Sequence, residues 1–164
     1  MEAKLRVLFD TNVYGLVAKT ATPHQFVSLV ESKGAIVCGS TIIRSEIRKI
    51  SKDASIGGLK LRKIVLGIYD ALVDDKRNYS ISGLIESIAT EYYKNYSGNH
   101  SWKEMENDFL IVATASLHQI DVVISNDEKT MISKNAVSAY RTINQKFELD
   151  TPKFIKLEEF ERTI

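Results

Sequence analysis

The stretch from Asn107 to Asp127, NDFLIVATASLHQIDVVISND, constrains the fold of this chain more than any other. Phe109, Leu110, Val112, Ala113 and Leu117 recur at helical spacing and form a broad apolar face, whereas Val122, Val123 and Ile124 make a β-branched run too short for another helix. The segment reads as a helix feeding a buried strand. Asp108 is expected at the helix start, where free N–H groups and the positive end of the helix dipole favour a carboxylate, and Asp127 just past the strand. A helix that leads into a parallel strand runs back antiparallel to it. Both acids then fall at the carboxyl edge of the sheet, where open α/β sheets bind their ligands.

The rest of the chain fits this frame. Arg6 to Phe9 reads as a strand ending in Asp10-Thr11-Asn12, followed by a helix that breaks near Pro23, resumes through Phe26, Leu29 and Val30, and closes at Gly34. The run AIVC supplies a second strand. Ser40 or Thr41 caps the next helix, whose Ile43, Ile47 and Ile50 form a core-facing stripe with Glu46 at its border, an expensive place for an unpaired carboxylate. Leu59 to Leu72 and Ile81 to Tyr96 read as two further helices packed beside the sheet, separated by the polar run DDKRNYS. After Asp127 the segment to Asp150 is polar and mixed, and PKFIKLEEF gives a last strand and a terminal helical turn. The expected architecture is a three-layer α/β/α sandwich with a short, mostly parallel central sheet, in a single domain over residues 1–164.

Composition sets the outer limits. A hydrophobic fraction of 44% over 164 residues suffices for one sizeable core. The 22 basic and 21 acidic residues nearly cancel, so only local clusters speak about partners. The single cysteine, Cys38, lies in an apolar run and is expected to be buried and unreactive. No stretch approaches the apolar length of a membrane span and the N-terminus shows no signal core, so a cytoplasmic location is expected. His24, His100 and His118 lack metal-ligand spacing. A P-loop, a Gly-rich dinucleotide fingerprint and a serine elbow are all absent from the sequence, which removes the corresponding chemistries.

Asp10, Glu46, Asp108 and Asp127 thus converge on one sheet edge. Carboxylates so close repel one another, and a divalent cation removes that cost. Oxygen ligands suit Mg²⁺ or Mn²⁺, with the remaining coordination positions left to water and a substrate phosphate. LFDTN, SEIRKI, NDFLIVATA and VVISND, in this order and over nearly the whole chain, resemble the PIN-domain ribonuclease family. The resemblance implies Asp10, Glu46 and Asp108 as the principal ligands of Mg²⁺ or Mn²⁺. It implies Asp127 as a fourth, direct or through water, and Asn12 and Ser125 as supporting positions. It further implies an endoribonuclease, with RNA as substrate, a small antitoxin protein as partner in toxin members, and homo-oligomers. Arg44, Arg48 and Lys49 open the densest basic stretch and are expected to hold RNA phosphates, or else to form a solvated face. Tyr92, Tyr93, Tyr96 and Trp102 are expected in helical packing rather than stacked on bases. An aspartyl phosphatase would need a second acid where Asn12 stands. The rival from another class is a non-catalytic PIN-like RNA-binding or scaffold module.

Overall fold

The computed structural model describes residues 3–20 and 22–163. The first half runs β1 (Arg6–Phe9), α1 (Thr11–Thr20), α2 (Pro23–Ser32), β2 (Ile36–Ser40), α3 (Thr41–Arg48), β3 (Ser55–Ile56), β4 (Leu59–Lys60) and α4 (Leu61–Leu72). After a 3₁₀ turn at Asp75–Arg77 come β5 (Asn78–Tyr79), α5 (Gly83–Lys94), α6 (Trp102–Leu117), β6 (Val122–Ile124), α7 (Lys134–Lys146), β7 (Lys153–Ile155) and α8 (Leu157–Thr163). Local chemistry fixes many boundaries. Thr22 caps α2 ahead of Pro23, Gly34 turns out of it at φ 68°, and the Ser40 hydroxyl accepts from the Ile42 N–H at the head of α3.

Five strands form one sheet in the order β5-β2-β1-β6-β7, and every neighbouring pair is parallel. The chain builds outwards from β1 through β2 to β5, then crosses back to β6 on the other flank. The switch point lies between β1 and β6, where a crevice opens at the carboxyl edge. Val7, Leu8 and Phe9 are fully buried, as a central parallel strand covered on both faces requires.

Register shows which helices cover which face. Phe9, Ile124 and Ile155 share one row, and Leu8, Val123 and Phe154 the adjacent row, so the two rows point to opposite faces. Phe9 meets Tyr14 of α1, Phe26 of α2 and Phe160 of α8, whereas Phe154 meets Tyr140 of α7, which in turn packs on Phe109 of α6 and Tyr92 of α5. Helices therefore flank both faces, giving the expected sandwich. Cys38 is buried, and no helix among the described residues is long and apolar enough to cross a membrane.

Several expectations are corrected. Asp108 does not start its helix: α6 begins at Trp102, where Ser101 and Glu104 form a reciprocal capping box that takes the helix-start position. The helix expected over Leu59 to Leu72 begins at Leu61, because Leu59 and Lys60 form β4 of the β3–β4 hairpin, turned by Gly57 and Gly58 at positive φ. The polar run DDKRNYS hides the edge strand β5, and the mixed segment after Asp127 hides α7, whose Ala136, Tyr140 and Ile143 are buried.

Gly39 in β2 leaves room for Tyr69. A Cβ there would stand 2.8 Å from the Tyr69 ring carbon Cζ and 3.0 Å from a Val73 methyl, and closer still to the Tyr69 hydroxyl. Gly39→Ala is expected to destabilise the fold by about 1–3 kcal/mol, read as a lower urea midpoint; an unchanged midpoint would show that Tyr69 moves aside freely.

Candidate active site

Asp10 follows β1 directly, beside Ser125 at the end of β6. Only 5% of its surface is exposed. Its Oδ1 accepts from the Thr11 N–H at 2.8 Å, and its Oδ2 accepts from the Ser125 hydroxyl at 2.8 Å and the Asn12 amide at 3.2 Å. Asn12 also accepts from the Asn126 N–H, tying the ends of β1 and β6 together across the switch point. Glu46, on the inner flank of α3, accepts from the Thr11 hydroxyl at 2.8 Å and from the Asn107 amide at 3.5 Å. These contacts join α1, α3 and α6.

Asp108 reaches the same edge from inside α6, six residues past Trp102. A 16-residue helix is about 24 Å long, whereas strands of 3 or 4 residues span about 10–13 Å, so the first turns of α6 overhang the sheet. A carboxylate nearly two turns in is thereby level with the strand ends. Asp127 sits in the loop after β6 and closes its own turn. Its Oδ1 accepts from the Lys129 and Thr130 N–H groups, and its Oδ2 from the Thr130 hydroxyl. Three of its about four lone-pair sites are thus occupied, the same number as at Asp10.

Electrostatics ties the acids together. Burial raises the Asp10 pKa to about 6 against the relief given by Ser125 and Thr11, with the charges of Glu46 and Asp127 adding to the rise. Burial likewise raises Asp108 to about 7, opposed by the Thr130 hydroxyl and reinforced by Asp10, Asp127 and Glu46. Among the described residues, no three His, Cys, Asp or Glu side chains are arranged to hold an ion as they stand. The donor set nonetheless suits a hard divalent cation, which would relieve the penalty that keeps two of these carboxylates partly protonated near neutrality.

A pH dependence follows for the metal-free protein. Both acids bind protons more tightly when folded than at their ordinary value of 3.8, so their stabilising protonation is complete below about pH 3.8 and lost as pH rises through about 6 to 7. For Asp10 the shift corresponds to on the order of 3 kcal/mol. The melting temperature in EDTA is expected to fall between pH 5 and pH 8, and to fall less in Asp10→Asn; a rise over that interval would contradict the shared cause.

Thr11, Asn107 and Thr130 also belong to this constellation, although sequence reasoning did not single them out. Thr11 is inside the DTN motif and Asn107 adjoins Asp108, so proximity was the available signal; Thr130 follows Asp127 at the spacing of a side-chain-capped turn. The basic residues lie elsewhere. Arg44 makes a two-pronged pair with Asp70 at 3.0 Å, and Arg44, Arg48 and Lys49 line a separate cleft. Tyr92 is buried, its hydroxyl bonded to Ser116 and Asn144, while Tyr93 packs on Tyr96 and Trp102. His118 stacks on Tyr79 at 3.7 Å, away from the acids.

No family model and no curated protein sequence matches the chain. Two solved structures do. VapBC2 from Rickettsia felis, bound to a DNA fragment from its promoter, matches with a TM-score of 0.53 at 13% identity, covering 93% of this chain and 98% of that one. FitAB bound to the IR36 DNA fragment matches with a TM-score of 0.56 at 17% identity, covering 92% and 94%. Both contain chains of the VapC/FitB type, built on the PIN domain. This chain has a PIN-like fold. At such identities the likeness is one of fold, and it assigns no role to Asp10, Glu46, Asp108 or Asp127.

Proposed function

We propose that this protein is a metal-dependent endoribonuclease that hydrolyses RNA phosphodiester bonds, the toxin of a toxin–antitoxin pair. The observation that carries the reading is the convergence of Asp10, Glu46 and Asp108 at the topological switch point, with two of the three pushed towards neutrality by burial and mutual repulsion. These three side chains would hold Mg²⁺ or Mn²⁺, with Asp127 assisting from its turn. When bound, such an ion supplies positive charge to the reacting phosphate and acidity to water. The protein's own part is positioning: Ser125 and Asn12 fix Asp10, Thr11 and Asn107 fix Glu46, and α6 holds Asp108 level with both. The two-component complexes VapBC2 and FitAB support a small antitoxin as partner, and a homo-oligomer is part of the same proposal.

One observation favours a second reading, a non-catalytic RNA-binding or scaffold module: no three His, Cys, Asp or Glu side chains among the described residues are arranged as they stand to hold an ion. Cleavage of a mixed-sequence single-stranded RNA by purified protein in Mn²⁺, Mg²⁺ or EDTA separates the two. Cleavage that requires the metal and is missing from Asp108→Asn prepared in parallel supports the nuclease. Inactivity on every RNA, together with a melting temperature indifferent to Mn²⁺, supports the module.

A further inference from the structure

A cleft of about 490 Å³ lies apart from the acids. It is lined by Thr41, Arg44, Ser45, Arg48, Lys49 and Asn78. Arg44 and Arg48 each stand two residues from Glu46, about 200° around α3, so they face away from the carboxylates towards α4. The cleft nevertheless shares the carboxyl edge. Thr41 follows β2 directly, and Asn78 of β5 pairs with Gly39, which places it two strand spacings from β1, about 10 Å along the edge from Asp10.

Its charges differ from those of the rest of the molecule. The chain as a whole carries a formal net charge of +1. In the cleft Arg44 is paired with Asp70, whereas Arg48 and Lys49 are exposed and make no ion pair among the described residues. Arg62 adds a third cation by donating to the Arg48 carbonyl at the end of α3. The remaining lining offers hydroxyls and an amide, suited to phosphate and sugar oxygens, and no aromatic ring on which a base could stack.

We infer that this cleft is a flanking subsite for the sugar–phosphate backbone of an extended single-stranded RNA whose cleaved linkage lies at the acids. Arg48 and Lys49 take the phosphates, Arg44 on Asp70 forms a wall, and the contact reads backbone rather than sequence. The inference rests on the nuclease reading and adds a length requirement to it. An RNA too short to cross α3 gains nothing from the cleft.

The test uses Asp108→Asn protein in EDTA, so that RNA persists, with fluorescein-labelled single-stranded RNAs of about 20 and about 4 nucleotides and salt varied around 0.1 M. Adding Arg48→Gln and Lys49→Gln is expected to weaken binding of the long RNA about tenfold and to flatten its log–log salt slope by about 1.4, the effect of losing two phosphate contacts on a single strand. The short RNA is expected to bind unchanged. A control pair at exposed lysines elsewhere, Lys19→Gln and Lys146→Gln, should leave the long RNA bound as before. Unchanged affinity and slope in the cleft variant, or an equal loss in the control, would overturn the subsite. With wild-type protein cleaving in parallel, that result leaves the nuclease intact. Dependence on Arg48 and Lys49 in a protein that never cleaves would instead keep the cleft and remove the nuclease.

Discussion

Asp108→Asn and Asp10→Asn are each expected to lower metal-dependent RNA cleavage by on the order of 10²–10³-fold or more, and to make the metal-free protein more stable near pH 8. The opposite signs share one origin. Burial and neighbouring carboxylates penalise the ionised forms of Asp10 and Asp108, and an amide of the same shape escapes that penalty while losing its charge for a cation. The two gains should differ. Asp10 accepts from Thr11, Asn12 and Ser125, so its amide must turn an N–H₂ group towards donors that have to rearrange. Asp108 has fewer such donors, and its variant should melt at the higher temperature. Thermal melts in EDTA and cleavage assays in Mn²⁺ on the same preparations check both signs. Full cleavage by either folded variant would remove that residue from the chemistry, and a lower metal-free melting temperature for Asp108→Asn would contradict the electrostatic account.

Phe109→Ala is expected to cost about 3–5 kcal/mol, a large fraction of the roughly 5–15 kcal/mol that holds a domain together. The Phe109 ring is fully buried and lies 5.6 Å from both Tyr96 and Tyr140 and 6.1 Å from Tyr92, joining α6 to α5 and α7 in one aromatic cluster. Its deletion leaves a cavity beside three large side chains that cannot collapse into it without breaking their own bonds; the Tyr92 hydroxyl is tied to Ser116 and Asn144, and the Tyr140 hydroxyl to the Met131 carbonyl. Since Phe109 follows Asp108, cleavage should fall as well. Phe109→Leu, which refills most of the volume, should recover the greater part of both losses. A urea midpoint for Phe109→Ala close to that of the parent would show that α6 is held chiefly by other contacts.

What the sequence revealed and what it hid have the same physical basis. β1, β2 and β6 were legible because buried parallel strands need continuous apolar runs, and VLF, AIVC and VVI supply them. β5 was hidden because an edge strand of two residues, Asn78 and Tyr79, is specified by its neighbour Gly39–Ser40 and not by its own composition. α7 was hidden because most of its surface is polar and its apolar contribution is concentrated in Ala136, Ala139, Tyr140 and Ile143. For Asp108 the sheet edge was anticipated but for the wrong reason. The capping box at Ser101 and Glu104 moves the helix start back, and the overhang of a long helix on short strands brings Asp108 to the edge. The contact of Asn107 with Glu46 depends on how α6 packs against α3, which a linear pattern does not mark, whereas Thr130 with Asp127 is a local turn whose spacing stands in the sequence.

The measurement that bears most directly on the central claim is calorimetric titration of Mn²⁺ into the metal-free protein at pH 6, in two buffers of different ionisation enthalpy. Asp10 near 6 and Asp108 near 7 both carry protons at that pH, so an ion held by them must displace roughly one proton on binding. Saturable binding with that release, fading by about pH 8.5 and lost in Asp108→Asn, is the result this account predicts. Absence of saturable binding, or binding that releases no protons and survives Asp108→Asn, would contradict it.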